Sequence, residues 1–424
     1  MTNIKIKGQI KVPGDKSISH RSIMLGALSK GQTCIHGFLK GADCLSTISC
    51  FRKMGVNIVE SPDEIVINGN GLNSLKPSQD ILDVGNSGTT IRLLSGILAG
   101  QSFQSEITGD LSIQKRPMKR VISPLRLMGC DIFSKNNNDC APLVINGGSL
   151  QGITYNSPIS SAQVKSCLLF AGLYADSPTS VIEPTLSRNH TEIMLKYFGA
   201  DITTESNKTT IRPSCNLTAR TINIPSDISS AAYFIAAALL IPGSELLIKS
   251  VGTNPTRDGI LEVASNMGAN IEYINKTNFS GEEVCDILVR SSKLHATNIS
   301  GEIIPRLIDE IPIIAVMAAF AEGTTIIKDA AELKVKESDR ITLMTHNLKN
   351  MGVDITATED GMIINGSAKN LKKAPIIMCQ GDHRIAMSMT ICYLAAGLEP
   401  NLDDENCIFV SYPGFFDDLK SVIK

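Results

Sequence analysis

Cations stand in this 424-residue chain where a helix start would normally exclude them. Six stretches of small and apolar residues open on polar clusters: Asp15-Lys16-Ser17, Asn86-Ser87-Gly88-Thr89, Ser160-Ser161-Ala162-Gln163, Ser226-Asp227, Asp309-Glu310 and Asp382-His383-Arg384. Ser, Thr, Asp and Asn at such places are ordinary N-caps, and capping suffices for Ser226 and Asp227. It does not explain Lys16, Arg21, Gln163 or Arg384. A cation in a first turn opposes the helix dipole unless something anionic offsets it, and the free N–H groups of a helix start bind anions. The expected chemistry is capture of a substrate with several phosphates or carboxylates, three helix starts from each half converging on a cleft.

Two further segments fit that chemistry. Gln114-Lys115-Arg116-Pro117 follows a loop at Gly109-Asp110 and offers Arg116 as an anion fork. Lys334-Val335-Lys336-Glu337-Ser338-Asp339-Arg340 crowds charges into seven positions. On a helix Lys336 and Arg340, four apart, share a face with Glu337 adjacent. A solvated charged helix start explains this composition equally well; the sharper reading is an anion site with a carboxylate able to move a proton. Other chemistries find little support. There is no P-loop and no strand-linked GxGxxG, and the GNSGTT segment lacks the P-loop lysine. No GxSxG elbow is present. His20, His36, His190, His295, His346 and His383 form no HxxxH or HExxH pair, so no metal is expected. Only His383, between Asp382 and Arg384, is placed for chemistry.

Two interleaved repeats supply the scaffold. The segments 48–58, 122–132, 191–202, 261–271 and 345–355 each end a helical pattern on a glycine and begin a strand. Their glycines, Gly55, Gly129, Gly199, Gly268 and Gly352, lie 74, 70, 69 and 84 residues apart. Glycine there suits a left-handed helix C-cap. The six small-residue helices alternate with these, giving six units of about 71 residues, longer than the usual solenoid period. These helices are apolar around most of their circumference and so belong inside. Two globular domains of three units each are expected, with helices inside and sheets outside. The boundary is expected near Thr221–Ser226, and the first strand, before Gly14, is expected to pair with the second domain.

Composition removes other classes. Forty Lys+Arg against forty-two Asp+Glu leave a net charge of −2, with 43% hydrophobic and 4% aromatic residues and no Trp. Neither disorder, nor general nucleic-acid binding, nor an anionic-membrane surface fits that balance. The longest apolar run, Ala231 to Ile241, is 11 residues, too short to span a bilayer. The start of the chain alternates like a strand and lacks a signal peptide's apolar block. Eleven scattered cysteines without CxxC spacing point to reduced thiols in a cytoplasmic protein.

The motifs PGDKSISHR, GNSGTTIR, KRPM, SAQVKS, LIDEIP, KVKESDR and DHRIAM, in this order from about Val12 to Phe416, resemble those of the 5-enolpyruvylshikimate-3-phosphate synthases, or 3-phosphoshikimate 1-carboxyvinyltransferases. The resemblance implies two inverse α/β domains, each of three βαβαββ units with buried helices and outer sheets. Residues 14–224 would form the 3-phosphoshikimate side, and 1–13 with 225–424 the phosphoenolpyruvate side. It implies transfer of the enolpyruvyl group of phosphoenolpyruvate to the 5-hydroxyl of 3-phosphoshikimate by addition and elimination. This would be a cytoplasmic step towards chorismate and aromatic amino acids that glyphosate inhibits, without metal or cofactor, and carried out by a monomer.

Carried over by motif, Lys16 would lie between the substrates and Gln163 beside both. Ser17, Arg21, Ser161, Ser187 and Lys336 would hold 3-phosphoshikimate. Gly88, Arg116, Arg340 and Arg384 would surround phosphoenolpyruvate, where paired guanidinium donors suit carboxylate and phosphate. Asp309 would deprotonate the shikimate hydroxyl, and Glu337 with Lys16 would handle the C3 proton. His383 and Asn86 would lie just behind. Two departures affect affinity rather than reaction. Val410-Ser411-Tyr412-Pro413 stands where some relatives have Lys-Thr-Phe-Pro, and His190 stands where some have Tyr, with Arg188 taking over part of the sugar-phosphate contacts. Two rivals are a sister transferase acting on UDP-N-acetylglucosamine and a non-catalytic phosphometabolite binder. The sister has Asn after the catalytic lysine where Ser17 stands here, and the Gln114–Pro117 segment lacks its reactive Cys. A binder would not require Asp309 and Glu337 beside its anions.

Overall fold

The computed structural model describes residues 4–213, 216–366 and 371–424. Its unit is most clearly seen in residues 82–146. The strand Leu82–Asp83 leads into the helix Gly88–Ala99 and then the parallel strand Gln104–Thr108. The helix Lys119–Leu127 follows, then the hairpin of Asp131–Ser134 and Leu143–Asn146, whose second arm pairs antiparallel with Gln104–Thr108. The same βαβαββ plan recurs from Thr154–Asn156 to Lys208–Ile211 and from Asn298–Ile299 to Met362–Gly366. Strand and helix types follow from local pattern. Glu64–Asn70 alternates half-buried and buried positions on the two faces of its sheet, whereas Ile311–Phe320 is apolar on all sides and buried from Ile311 to Ala319.

Two compact bodies result. One comprises Gly14–Ile224 with Phe279–Glu282; the other comprises Met1–Pro13, Pro225–Asn278 and Glu283–Lys424. In the first body the helices Lys16–Leu28, Gly88–Ala99 and Ala162–Gly172 are buried among the sheets. In the second, Ile228–Leu240, Ile311–Phe320 and His383–Ala395 pack on one another in the same way. A first strand is exchanged between units. Lys7–Ile10 precedes the Lys16–Leu28 helix yet pairs in parallel with Glu245–Gly252. Thr221–Asn223 precedes Ile228–Leu240 yet pairs in parallel with Lys30–His36. Beside the first of these pairs, Lys5 and Lys424 exchange backbone hydrogen bonds of 2.9 and 2.8 Å.

The six buried helices lie where the small-residue repeat expects them, and the five helix-ending glycines all have left-handed backbones, with φ between 85° and 95°. The sixth unit departs from the plan. The described residues hold five four-stranded sheets, and among those after Gly366 the only β-pairing before a short 3-10 turn at Asn406–Val410 is a bridge between Ile377 and Leu402. Its sequence explains this: Gly397-Leu398-Glu399-Pro400-Asn401-Leu402-Asp403-Asp404 is rich in turn formers and poor in β-branched residues.

Candidate active site

The site residues fall into two groups, one in each body. In the first body, Asp15 caps the helix from Lys16, its carboxylate accepting the Ile18 N–H at 2.8 Å. Lys16 Nζ pairs with Asp43, a partner no motif suggested. Arg21, one turn on, is buried. Its Nε donates to Thr191 Oγ1 at 2.5 Å, one terminal nitrogen to the Ser17 carbonyl at 2.9 Å and the other to Ser166 Oγ at 2.8 Å. Burial pushes its pKa down to about 10, with Glu192 and Asp15 opposing; it stays a cation at neutral pH. His20, on the same helix, is fully buried against Thr47 Oγ1 at 2.7 Å. Burial, then the charges of Lys16 and Arg21, hold its pKa well below 6.5, so it is neutral.

The second helix start is built around Gly88. Asn86 bridges Asp110 and Arg116, its Nδ2 donating to Asp110 Oδ2 at 2.6 Å and its Oδ1 accepting from Arg116 at 2.7 Å. Arg116 also donates to Ser112 Oγ at 3.1 Å, so the guanidinium is fixed in direction. Arg92, another residue without an expected role, donates to Gln163 Oε1 at 2.6 Å, while Gln163 Nε2 donates to Thr89 Oγ1 at 3.1 Å. With its oxygen occupied by Arg92, the Gln163 amide keeps an N–H for an outside acceptor. A Cβ added at Gly88 would stand 3.1 Å from both the Arg92 and Arg116 guanidinium ends. Ser161 caps the third helix, its Oγ accepting the Val164 N–H at 3.4 Å. Ser187 is buried and Arg188 half-buried in the following loop.

In the second body the charges converge on Asp309. Its carboxylate lies 3.3 Å from Arg340, 3.6 Å from Lys336 and 3.9 Å from Arg384. Arg340 is 1% exposed. It also reaches Glu337 at 2.5 Å and Asp382 at 2.8 Å. Burial would lower its pKa, but Asp382 and Glu337 raise it above the usual arginine value. Burial likewise works to raise the Asp382 pKa, and Arg340 overrides it and holds it low. Asp382 also caps the His383–Ala395 helix through the Arg384 N–H at 2.9 Å, with His383 buried next to it. Arg384 donates to the Asp309 carbonyl at 3.3 Å. Behind it, Glu310 receives the Ser229 hydroxyl, and Arg257 pairs with Asp227 at 3.2 Å. Asp227 therefore caps its helix as expected, accepting the Ser229 N–H at 2.8 Å, and anchors an arginine as well.

One expectation is corrected. Lys336 and Arg340 do not share a helix face. Asp339 caps the helix that begins at Arg340, its Oδ1 accepting the Thr342 N–H at 3.1 Å, and so leaves Lys336 to Ser338 outside it. The two cations nonetheless both reach Asp309. At the departure near the end of the chain, the buried Tyr412 donates to Asp418 at 2.7 Å, a packing role. No group of three or more metal-ligating side chains occurs among the described residues.

A carboxylate close to three cations, and a second set of oriented donors, suit polyanionic substrates and proton transfer. Comparison with known proteins agrees. Residues 2–419 match the EPSP synthase family, 3-phosphoshikimate 1-carboxyvinyltransferase. The chain is 53% identical over 410 residues to the 3-phosphoshikimate 1-carboxyvinyltransferase of Geotalea daltonii, covering 97% of this chain and 95% of that one. With the enzyme of that name from Brevibacillus brevis the figures are 52% over 418 residues, 99% and 98%. An EPSP synthase structure from Acinetobacter baumannii superposes with a TM-score of 0.88 at 43% identity, over 100% of this chain and 97% of that one. The enolpyruvyl transferase NikO of Streptomyces tendae shares the fold, with a TM-score of 0.77 at 14% identity, over 99% and 96%.

Proposed function

The chain belongs to the EPSP synthase family, and we propose that it transfers the enolpyruvyl group of phosphoenolpyruvate to the 5-hydroxyl of 3-phosphoshikimate, releasing phosphate. The observation that carries the reading is Asp309, a carboxylate within 4 Å of Lys336, Arg340 and Arg384. Asp309 takes the proton of the 5-hydroxyl as that oxygen bonds to C2 of phosphoenolpyruvate. The C2–C3 π pair meanwhile accepts a proton at C3 from Glu337 or Lys16, giving a tetrahedral intermediate. Loss of a C3 proton to the same groups then re-forms the double bond, and the C2–O bond to phosphate breaks. Lys336 holds the sugar phosphate together with Ser17, Arg21, Ser161, Gln163, Ser187 and Arg188. Arg116, Arg340 and Arg384 hold phosphoenolpyruvate beside Gly88, with Asn86 and His383 in support.

The proposal includes a monomer working in the cytoplasm without metal or cofactor. No helix among the described residues is long and apolar enough to cross a membrane, and gel filtration of the purified chain tests the monomer. The relatives' names favour neither the UDP-N-acetylglucosamine enzyme nor a binding protein. The deciding assay is phosphate release on mixing both substrates. Wild type should turn over, and Lys16→Ala and Asp309→Ala should each lose at least ~100-fold in kcat, the scale of general acid–base catalysis. Retained turnover in both variants refutes the assignment, and an inert wild type that still binds 3-phosphoshikimate would be a binder.

A further inference from the structure

Glu183 lies just past the strand Thr179–Ile182, is buried, and has no role in the reading above. Its Oε1 accepts the Ser161 N–H at 2.9 Å, and its Oε2 accepts the Ser187 N–H at 3.2 Å. Oε2 also pairs at 2.9 Å with the fully buried Lys165. Lys165 in turn donates to the Ser187 carbonyl at 3.1 Å and pairs with Glu192 at 2.7 Å. The same two loops are tied again by Ser160, whose hydroxyl donates to the Thr185 carbonyl at 2.6 Å and accepts its N–H at 3.0 Å. Among the described residues the buried Ser187 Oγ has no hydrogen-bond partner. A buried hydroxyl is destabilising until it finds a partner, so this one is set to receive a ligand oxygen.

We infer that Glu183 is a positioning residue: its two oxygens hold the Ser161 and Ser187 backbones in fixed register, and this register sets affinity for the 3-phosphoshikimate phosphate. The inference rests on the reaction proposed above. The rival explanation is that Glu183 merely neutralises a buried lysine. Glu192 separates the two, because it pairs with Lys165 but makes no hydrogen bond to either serine among the described residues. Lys165 pairs with both carboxylates, so neutralising either one leaves the buried lysine a charged partner and a foldable chain. Only Glu183→Gln takes an acceptor from a serine. An amide has one oxygen, Lys165 draws it to the Oε2 side, and the amide NH2 is left facing the Ser161 N–H.

Full-length wild type, Glu183→Gln and Glu192→Gln are compared by phosphate release, with the KM of each substrate, kcat and thermal midpoint measured. Glu183→Gln should raise the KM for 3-phosphoshikimate about tenfold, as expected for a lost buried hydrogen bond, with the phosphoenolpyruvate KM changed less than about twofold. Glu192→Gln should shift the thermal midpoint similarly while leaving both KM values within about twofold of wild type. An unchanged 3-phosphoshikimate KM in Glu183→Gln, or an equal rise in both variants, overturns the inference. Should Glu183→Gln not fold, Glu183→Asp keeps the charge and shortens the reach by one methylene; an unchanged KM there overturns it equally. A wild type that releases no phosphate would refute the reaction alone. Calorimetric titration with 3-phosphoshikimate then decides, equal affinity in wild type and Glu183→Gln counting against the clamp and weaker affinity in the variant supporting it.

Discussion

Gly88 stands between two guanidinium groups, and the absence of a side chain there is what lets both keep their directions. The methyl of Gly88→Ala would meet the Arg92 and Arg116 ends at 3.1 Å, closer than comfortable contact, so the flexible arginine tips must shift. We expect the phosphoenolpyruvate KM and the glyphosate inhibition constant each to rise about tenfold, the effect of a ~1.4 kcal/mol overpacking penalty. Unchanged inhibition counts against this geometry. His20 gives a second test. Its pKa in the folded chain lies below the 6.5 of the unfolded chain, so above pH 6.5 it adds no pH dependence. As pH falls below 6.5 the unfolded chain takes up the proton first, and stability falls by up to ~1.4 kcal/mol per pH unit. Urea midpoints at pH 7.5 and 5.5 should diverge more in wild type than in His20→Asn; equal divergence would show that the folded chain binds this proton as readily as the unfolded one. Lys16 and Arg384 were legible in the sequence because packing gives no reason for a cation in an apolar helix start. Asp43, Arg92 and Glu183 were not. Asp43 meets Lys16, Arg92 meets Gln163 and Glu183 meets Ser161 across 27, 71 and 22 residues of chain, and alone each reads as an ordinary charged residue.

Elements carry these side chains only if the buried helices sit close together. Gly96 on the Gly88–Ala99 helix marks the tightest approach to Ala162–Gly172, since a Cβ there would lie 2.0 Å from the Cys167 carbonyl oxygen. That neighbour is backbone and cannot swing aside. Gly96→Ala should therefore destabilise the chain by at least ~3 kcal/mol, and a urea midpoint equal to wild type would show that the helices can part at little cost. The six inner helices could be read from sequence because residues apolar on every side fit only an interior. Two details could not. A helix pattern through Lys336-Glu337-Ser338 continued on paper, whereas Asp339 stops it by capping the next helix. The repeat predicts a last unit like the others, and its turn-forming sequence outweighs that repeat.

At the scale of the whole molecule, the exchanged first strand governs assembly. Ile6, Ile10 and Val12 are buried in the core of the body that otherwise begins at Pro225. Removing residues 1–13 exposes the edge of Glu245–Gly252 and strips three apolar side chains from that core, a loss of more than ~4 kcal/mol. By contrast, 14–224 retains its own Thr221–Asn223 strand. Hydrogen exchange on a chain lacking 1–13 should show lost protection in 225–424 and near-native protection in 14–224; uniform loss would mean that the bodies fold as a single unit. The paired backbones of Lys5 and Lys424 carry a further consequence. A gene rearranged to join these ends by a short linker and reopened between Ile224 and Pro225 would encode each body as one stretch apart from Phe279–Glu282. During translation the strand Lys7–Ile10 must now wait for its neighbour until more than 230 residues have followed it. The rearranged order removes that wait, and should refold faster from urea without altering the final structure.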